Sequence, residues 1–76
     1  MADRTTARLF GRIISRIAEL PASTDRDELI HDVWGEASDF DFRPYQMESR
    51  EAVEALAALG LVPDSEVERS GPRASR

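Results

Sequence analysis

Placed on a helical wheel at about 100° per residue, residues 4–20 separate into two sets that barely mix. Leu9, Leu20, Ile13, Ile17, Phe10, Ile14, Ala7, Ala18 and Gly11 fill an apolar arc about 200° wide, interrupted only by Thr6. Arg4, Thr5, Arg8, Arg12, Ser15, Arg16 and Glu19 fill the remainder. The pattern predicts an amphipathic helix over 4–20, capped by Asp3 or Thr5 and stopped by Pro21.

A second helix is expected over 25–38. Thr24 or Asp25 can cap it, and Asp25 and Glu28 have capping-box spacing. Asp27 and Glu28 in the first turn suit the positive end of the helix dipole. Leu29, Val33 and Ala37, flanked by Ile30 and Trp34, make the buried stripe, with Glu28, His31, Asp32 and Glu36 outward. Asp39-Phe40-Asp41-Phe42 then alternates polar and apolar and reads as an extended connector whose phenylalanines plug the core. Arg43 is biased away from helical geometry by the proline that follows. Pro44 or Ser49 can open a third helix, taken over 44–59, with Tyr45, Ala52, Leu56 and Leu59 on one face and Val53 beside them. Gly60 suits the position after its end, and Leu61 the apolar contact of a Schellman motif. From Asp64 onward the chain is polar and rich in Ser, Gly and Pro, the composition of a disordered tail. The fold class expected is therefore all-α: a small three-helix domain over 1–62, with a short aromatic connector and a disordered polar tail over 63–76.

Composition sharpens this picture. The chain has 76 residues, no cysteine and one histidine, which excludes disulfides, thiolate metal sites and histidine clusters. A domain this small must draw its stability from close packing or from association. All ten basic residues are arginine, the codon bias of a GC-rich genome, bacterial or phage. The net charge of −5 is unevenly spread. Residues 1–20 carry +2, residues 21–68 carry −10 and residues 69–76 carry +3. No run of about 18 apolar residues exists to cross a membrane, and no secretory signal pattern is present. A cytoplasmic protein is expected, with the arginine-rich start imitating a transit peptide only in part.

No catalytic or metal constellation emerges, and no cofactor is expected. Read as an EF-hand from Asp39, the loop fails at Arg43, Pro44 and Arg50, where a ligand, a glycine and a bidentate acid belong. His31 has acidic neighbours in Asp27 and Asp32 but no nucleophile placed to complete a triad. Trp34 reads as the edge of the core, with a partner contact as the rival. Phe40, Phe42 and Tyr45 lie among Asp39, Asp41 and Glu48, which disfavours base stacking. A helix-turn-helix reading meets Glu48, Glu51 and Glu54 against Arg50 on the third helix, a surface that phosphates repel.

The arginine row is the most specific signal. Its apolar arc either packs on the other helices, docks on a protein partner or a second copy, or lies on an anionic membrane. The expected function is a non-enzymatic protein-interaction module, self-associating or docking through Phe10, Ile13, Ile14 and Ile17, with Arg8, Arg12 and Arg16 at the rim. The alternative is an acidic nucleic-acid mimic of the kind small phage-borne inhibitors use. It would fill a partner's basic groove through Asp32, Glu36, Asp39, Asp41, Glu48, Glu51 and Glu54. A DNA-binding regulator ranks third.

Overall fold

The computed structural model describes residues 4–70, and these are all-helical, with no strand among them. The elements are α1 (Arg4–Ala18), α2 (Thr24–Ala37), a 3-10 turn (Pro44–Met47), α3 (Arg50–Ala58) and α4 (Asp64–Arg69). Among the described residues no helix is long and apolar enough to cross a membrane. The cap expected at Asp3 and the end of the tail, 71–76, lie outside the described residues.

The first helix forms as its periodicity requires, ending two residues before the expected stop. Ala7, Gly11, Ile14 and Ile17 are its buried residues, spaced three or four apart along one side. Its last carbonyls are met by a side chain from the next helix: Arg26 Nη1 donates to Ala18 O at 3.2 Å and to Leu20 O at 3.4 Å. A cation at that end also opposes the negative pole of the helix dipole. α2 is capped one residue earlier than expected, by Ser23, whose Oγ accepts from Arg26 N at 3.0 Å. That leaves Asp25 and Asp27 in the first turn.

The core is a cluster of Ile14, Ile17, Ile30, Met47, Ala52, Val53, Leu56 and Val62. Phe10, Val33, Trp34, Phe42, Leu59, Leu61 and Val67 pack against it part-buried. The aromatic connector behaves largely as expected. Phe10 meets Phe40 at 5.5 Å and Phe42 at 6.0 Å between ring centroids, and Phe42 meets Trp34 edge-on at 6.3 Å. Phe42 is part-buried, whereas Phe40 stays largely exposed.

The third helix departs from expectation: the span 44–59 is two elements. Glu48 has φ 57°, in the left-handed region, and breaks the run after Met47. Ser49 then starts α3 afresh, its Oγ accepting from Ala52 N at 3.2 Å. The break lets Met47 turn inward while Tyr45, expected on the buried face, stays exposed. At the other end Gly60 has φ 76°, Gly60 N bonds Ala57 O at 3.0 Å and Leu61 N bonds Leu56 O at 2.9 Å. This is the Schellman motif that the glycine predicts.

The tail expectation is also corrected. Residues 64–69 form α4, which packs on α3 and the 3-10 turn. Val67 reaches the core, and Glu66, the one charged residue buried among those described, accepts from Arg43 Nη2 at 3.0 Å. With a single apolar anchor, α4 leaves almost no trace in hydrophobic periodicity.

The tightest constraint lies where α1 crosses the 3-10 turn. A Cβ built on Gly11 would stand 2.7 Å from the Met47 carbonyl oxygen and 2.8 Å from Met47 Cβ, closer than real atoms approach. Both obstacles are parts that a rotamer change cannot move. Gly11→Ala should therefore lower stability by about 1–3 kcal/mol despite alanine's better helix propensity. Gly35→Ala, in α2 with nothing within 4 Å, should raise it by roughly 0.5–1 kcal/mol. Thermal unfolding of the two variants checks this, and equal effects of the same sign would contradict the packing.

Candidate interaction surface

α1 is amphipathic over a wider arc than its neighbours cover. The side that faces Met47 holds Ala7, Gly11 and Ile14, and the side that faces the aromatic connector holds Phe10. The far edge of the apolar arc emerges into solvent. Leu9 is 53% exposed and Ile13 37%, one turn apart on the same edge, and Leu20, just past the end of the helix, is 51% exposed. Leu29 of α2, 45% exposed, adjoins Leu20: with Leu20, Pro21, Ser23, Asp25 and Arg26 it lines an open depression of about 370 Å³. Val33, one turn on from Leu29, is half-buried.

The two helices run back along each other. Arg26 near the start of α2 holds the end of α1, and Phe40 just past the end of α2 meets Phe10 of α1. The apolar strip between them therefore has two unlike margins. Beyond it on α1 come Arg12 and Arg16, both exposed. Beyond it on α2 come Asp25, Asp32 and Glu36, also exposed.

The sequence-predicted interface is thus divided. Ile14 and Ile17 are core residues of this domain and are closed to a partner, because their side of α1 is covered by α2, α3 and the 3-10 turn. Phe10 is half-buried in the aromatic cluster. Ile13 alone of the four apolar residues is exposed. Leu9 and Leu20 were visible in the sequence as the edge of the apolar arc, the part that narrow neighbours leave uncovered. Leu29 was placed in the buried stripe, and Ile30 takes that position instead.

The arginines are also divided. Arg4 Nε donates to Glu48 Oε2 at 2.8 Å, tying the start of α1 to the break after the 3-10 turn. Arg8 and Arg12 line a second depression of about 310 Å³ with Met47, Glu48 and Ser49, and Arg16 is exposed on the outer face. The hydrogen bond from Arg4 holds the Glu48 carboxyl below its ordinary range; slight burial opposes this, and the charges of Arg4 and Arg8 add to it.

The seven acids do not gather. Asp32 and Glu36 stand on α2, Asp39 and Asp41 on the connector, Glu48 at the break and Glu51 on α3. Glu48 is engaged by Arg4, and Glu54, half-buried on α3, accepts from Arg50 Nε at 3.2 Å. Among the described residues no three His, Asp or Glu side chains are grouped to hold a metal ion. His31 is exposed on α2. Comparison with protein-family models, with curated proteins and with solved structures finds no match.

The Arg4–Glu48 geometry gives a titration to check. Glu48 should titrate below its ordinary value of 4.5, so the pair is fully present above that pH and is lost as pH falls through the lowered value. Arg4→Ala should move the Glu48 midpoint upward in an NMR titration, and Arg8→Ala should move it less. An unmoved midpoint in Arg4→Ala would show that the pair does not persist in solution.

Proposed function

We propose that the chain is a small non-enzymatic protein-interaction module that docks through Leu9 and Ile13 of α1, Leu20 just past its end and Leu29 of α2. Single exposed apolar residues are ordinary on protein surfaces. Four large ones, two lining one depression and two on the exposed edge of α1, are a different matter on a chain of 76 residues with 33% charged side chains. Their exposure together is the observation that carries the reading. None of the four belongs to the core cluster or to the residues packed part-buried against it. The arginine and carboxylate margins supply orientation and encounter rate, while apolar burial supplies most of the affinity.

The boundary between core and strip gives a sharp test. Ile13 and Ile14 are neighbours in sequence, one on the strip and one in the core. Ile13→Asp should keep the native far-ultraviolet circular dichroism and, in dilute solution, cost about 1–2 kcal/mol, the share of an isoleucine's burial that it loses. Ile14→Asp should unfold the domain, because a buried unpaired carboxylate costs several kcal/mol against a total of about 5. A photoreactive phenylalanine analogue at Leu9 or Leu29 should form protein adducts in the producing cell, and one at Glu51 should not. Adducts as abundant from Glu51, or none from the strip, would contradict the reading.

A further inference from the structure

We propose that the occupant of the strip is a second copy of this chain, related to the first by a twofold axis lying in the interface and running roughly parallel to α1 and α2. This rests on the interaction reading above and specifies its partner. The charge pattern carries it. One margin of the strip is basic, with Arg16 on α1 next to it and Arg12 about 40° further round, where it also lines the depression beside Met47 and Glu48. The other is acidic, with Asp25, Asp32 and Glu36 on α2. A surface of this kind is complementary to itself when turned over about its long axis.

The symmetry options for two facing helix pairs can be taken in turn. A twofold axis lying across the helices sets α1 on the second copy's α1, arginine against arginine, and α2 on its α2, acid against acid. Like charges brought together across an interface repel, and that arrangement is disfavoured. A twofold axis along the helices sets α1 over the second copy's α2 in both halves of the interface. Each arginine margin then meets a carboxylate margin, twice by symmetry, and the apolar residues of both strips close on each other between them.

The height of the residues along the axis agrees. Rotation about an axis along the helices leaves each residue at its own level. Arg26 Nη1 reaches both the Ala18 and the Leu20 carbonyl, which places the first turn of α2 beside the end of α1. Counting back along α1 and forward along α2 at about 1.5 Å per residue brings the turn from Arg12 to Arg16 to the heights of residues 28–32, within an arginine side chain's length of Asp32. In the dimer Arg16 of each copy thus comes within reach of the carboxylate margin of the other, Asp32 included, at the edge of the apolar seal. Arg16 and Asp32 are both exposed within a single copy.

The composition fits the same end. A chain without disulfides and with a small core is the kind that gains stability by association. Dimerisation removes Leu9, Ile13, Leu20 and Leu29 from water together, and the net charge of −5 on each copy keeps further copies apart.

The test is the molar mass of the full chain by sedimentation equilibrium at moderate salt, for wild type, Arg16→Glu, Asp32→Arg and the two changes combined. The wild type is expected to be dimeric, and each single reversal should weaken the dimer by about tenfold or more, because it sets like charges face to face twice. The combined variant, whose net charge equals that of the wild type, should recover most of the affinity. Ile13→Asp should be a folded monomer. A wild type that stays monomeric near 1 mM, a Kd beyond the weakest specific contacts, would overturn the second copy while leaving the photocrosslinking test of the strip standing. A dimer indifferent to Ile13→Asp would overturn both the dimer geometry and the strip. A dimer that Ile13→Asp abolishes, but that both charge reversals leave unchanged, would overturn the axis along the helices.

Discussion

The contact of Gly11 with Met47 decides which part of α1 the domain keeps for itself. There a helix backbone lies against the carbonyl of a 3-10 turn with no room for a methyl group. The approach is close because three things coincide. Gly11 offers no side chain, Glu48 takes a left-handed conformation that ends the turn, and Met47 is driven inward by that ending. Arg4 clamps the same junction from outside by its bond to Glu48. With that side of α1 fixed against the turn and α3, and the Phe10 side fixed against the aromatic connector, the helix has no remaining freedom to roll. Leu9, Ile13 and Leu20 then face solvent as a consequence of packing elsewhere.

This explains why two isoleucines adjacent in the sequence have opposite fates. Ile14 sits on the Gly11 side of α1 and is fully buried in the cluster that includes Met47, Val53 and Leu56. Ile13, about 100° further round, passes beyond the reach of α2. The arc of α1 is wider than two short helices can cover, and the surplus is continued by Leu29 on α2 into one strip. The unlike margins of that strip follow from composition. The first 20 residues hold a surplus of arginine and the following segment a surplus of acids. When the second helix folds back on the first, the two surpluses are laid side by side with apolar residues between them.

Much of the fold was legible in the chain because local chemistry and burial agree there. The period of α1, the first-turn acids of α2, the aromatic pair of the connector and the Gly60 ending of α3 each have a local cause that tertiary packing reinforces. The misses have causes too. The break at Glu48–Ser49 depends on a glutamate in a left-handed conformation, which no propensity favours and which the Arg4 pair helps to hold. Helix α4 is bound by Val67 and by a buried carboxylate that meets an arginine 23 residues away in sequence, a pairing that periodicity cannot display. For the exposed strip the wheel shows an arc wider than a buried stripe needs. Which edge is left over depends on where the 3-10 turn lands, so of Phe10, Ile13, Ile14 and Ile17 only Ile13 stays exposed.

The central claim is that packing at Gly11 and Met47 splits the apolar arc of α1 into a sealed side and an open side. The most direct measurement is the effect of a soluble paramagnetic agent on methyl NMR signals of a dilute sample. Ile14, Ile17 and Ile30 methyls should be nearly untouched, while those of Leu9, Ile13, Leu20 and Leu29 relax strongly. Equal protection of Ile13 and Ile14 at high dilution, or strong relaxation of Ile14, would contradict the account.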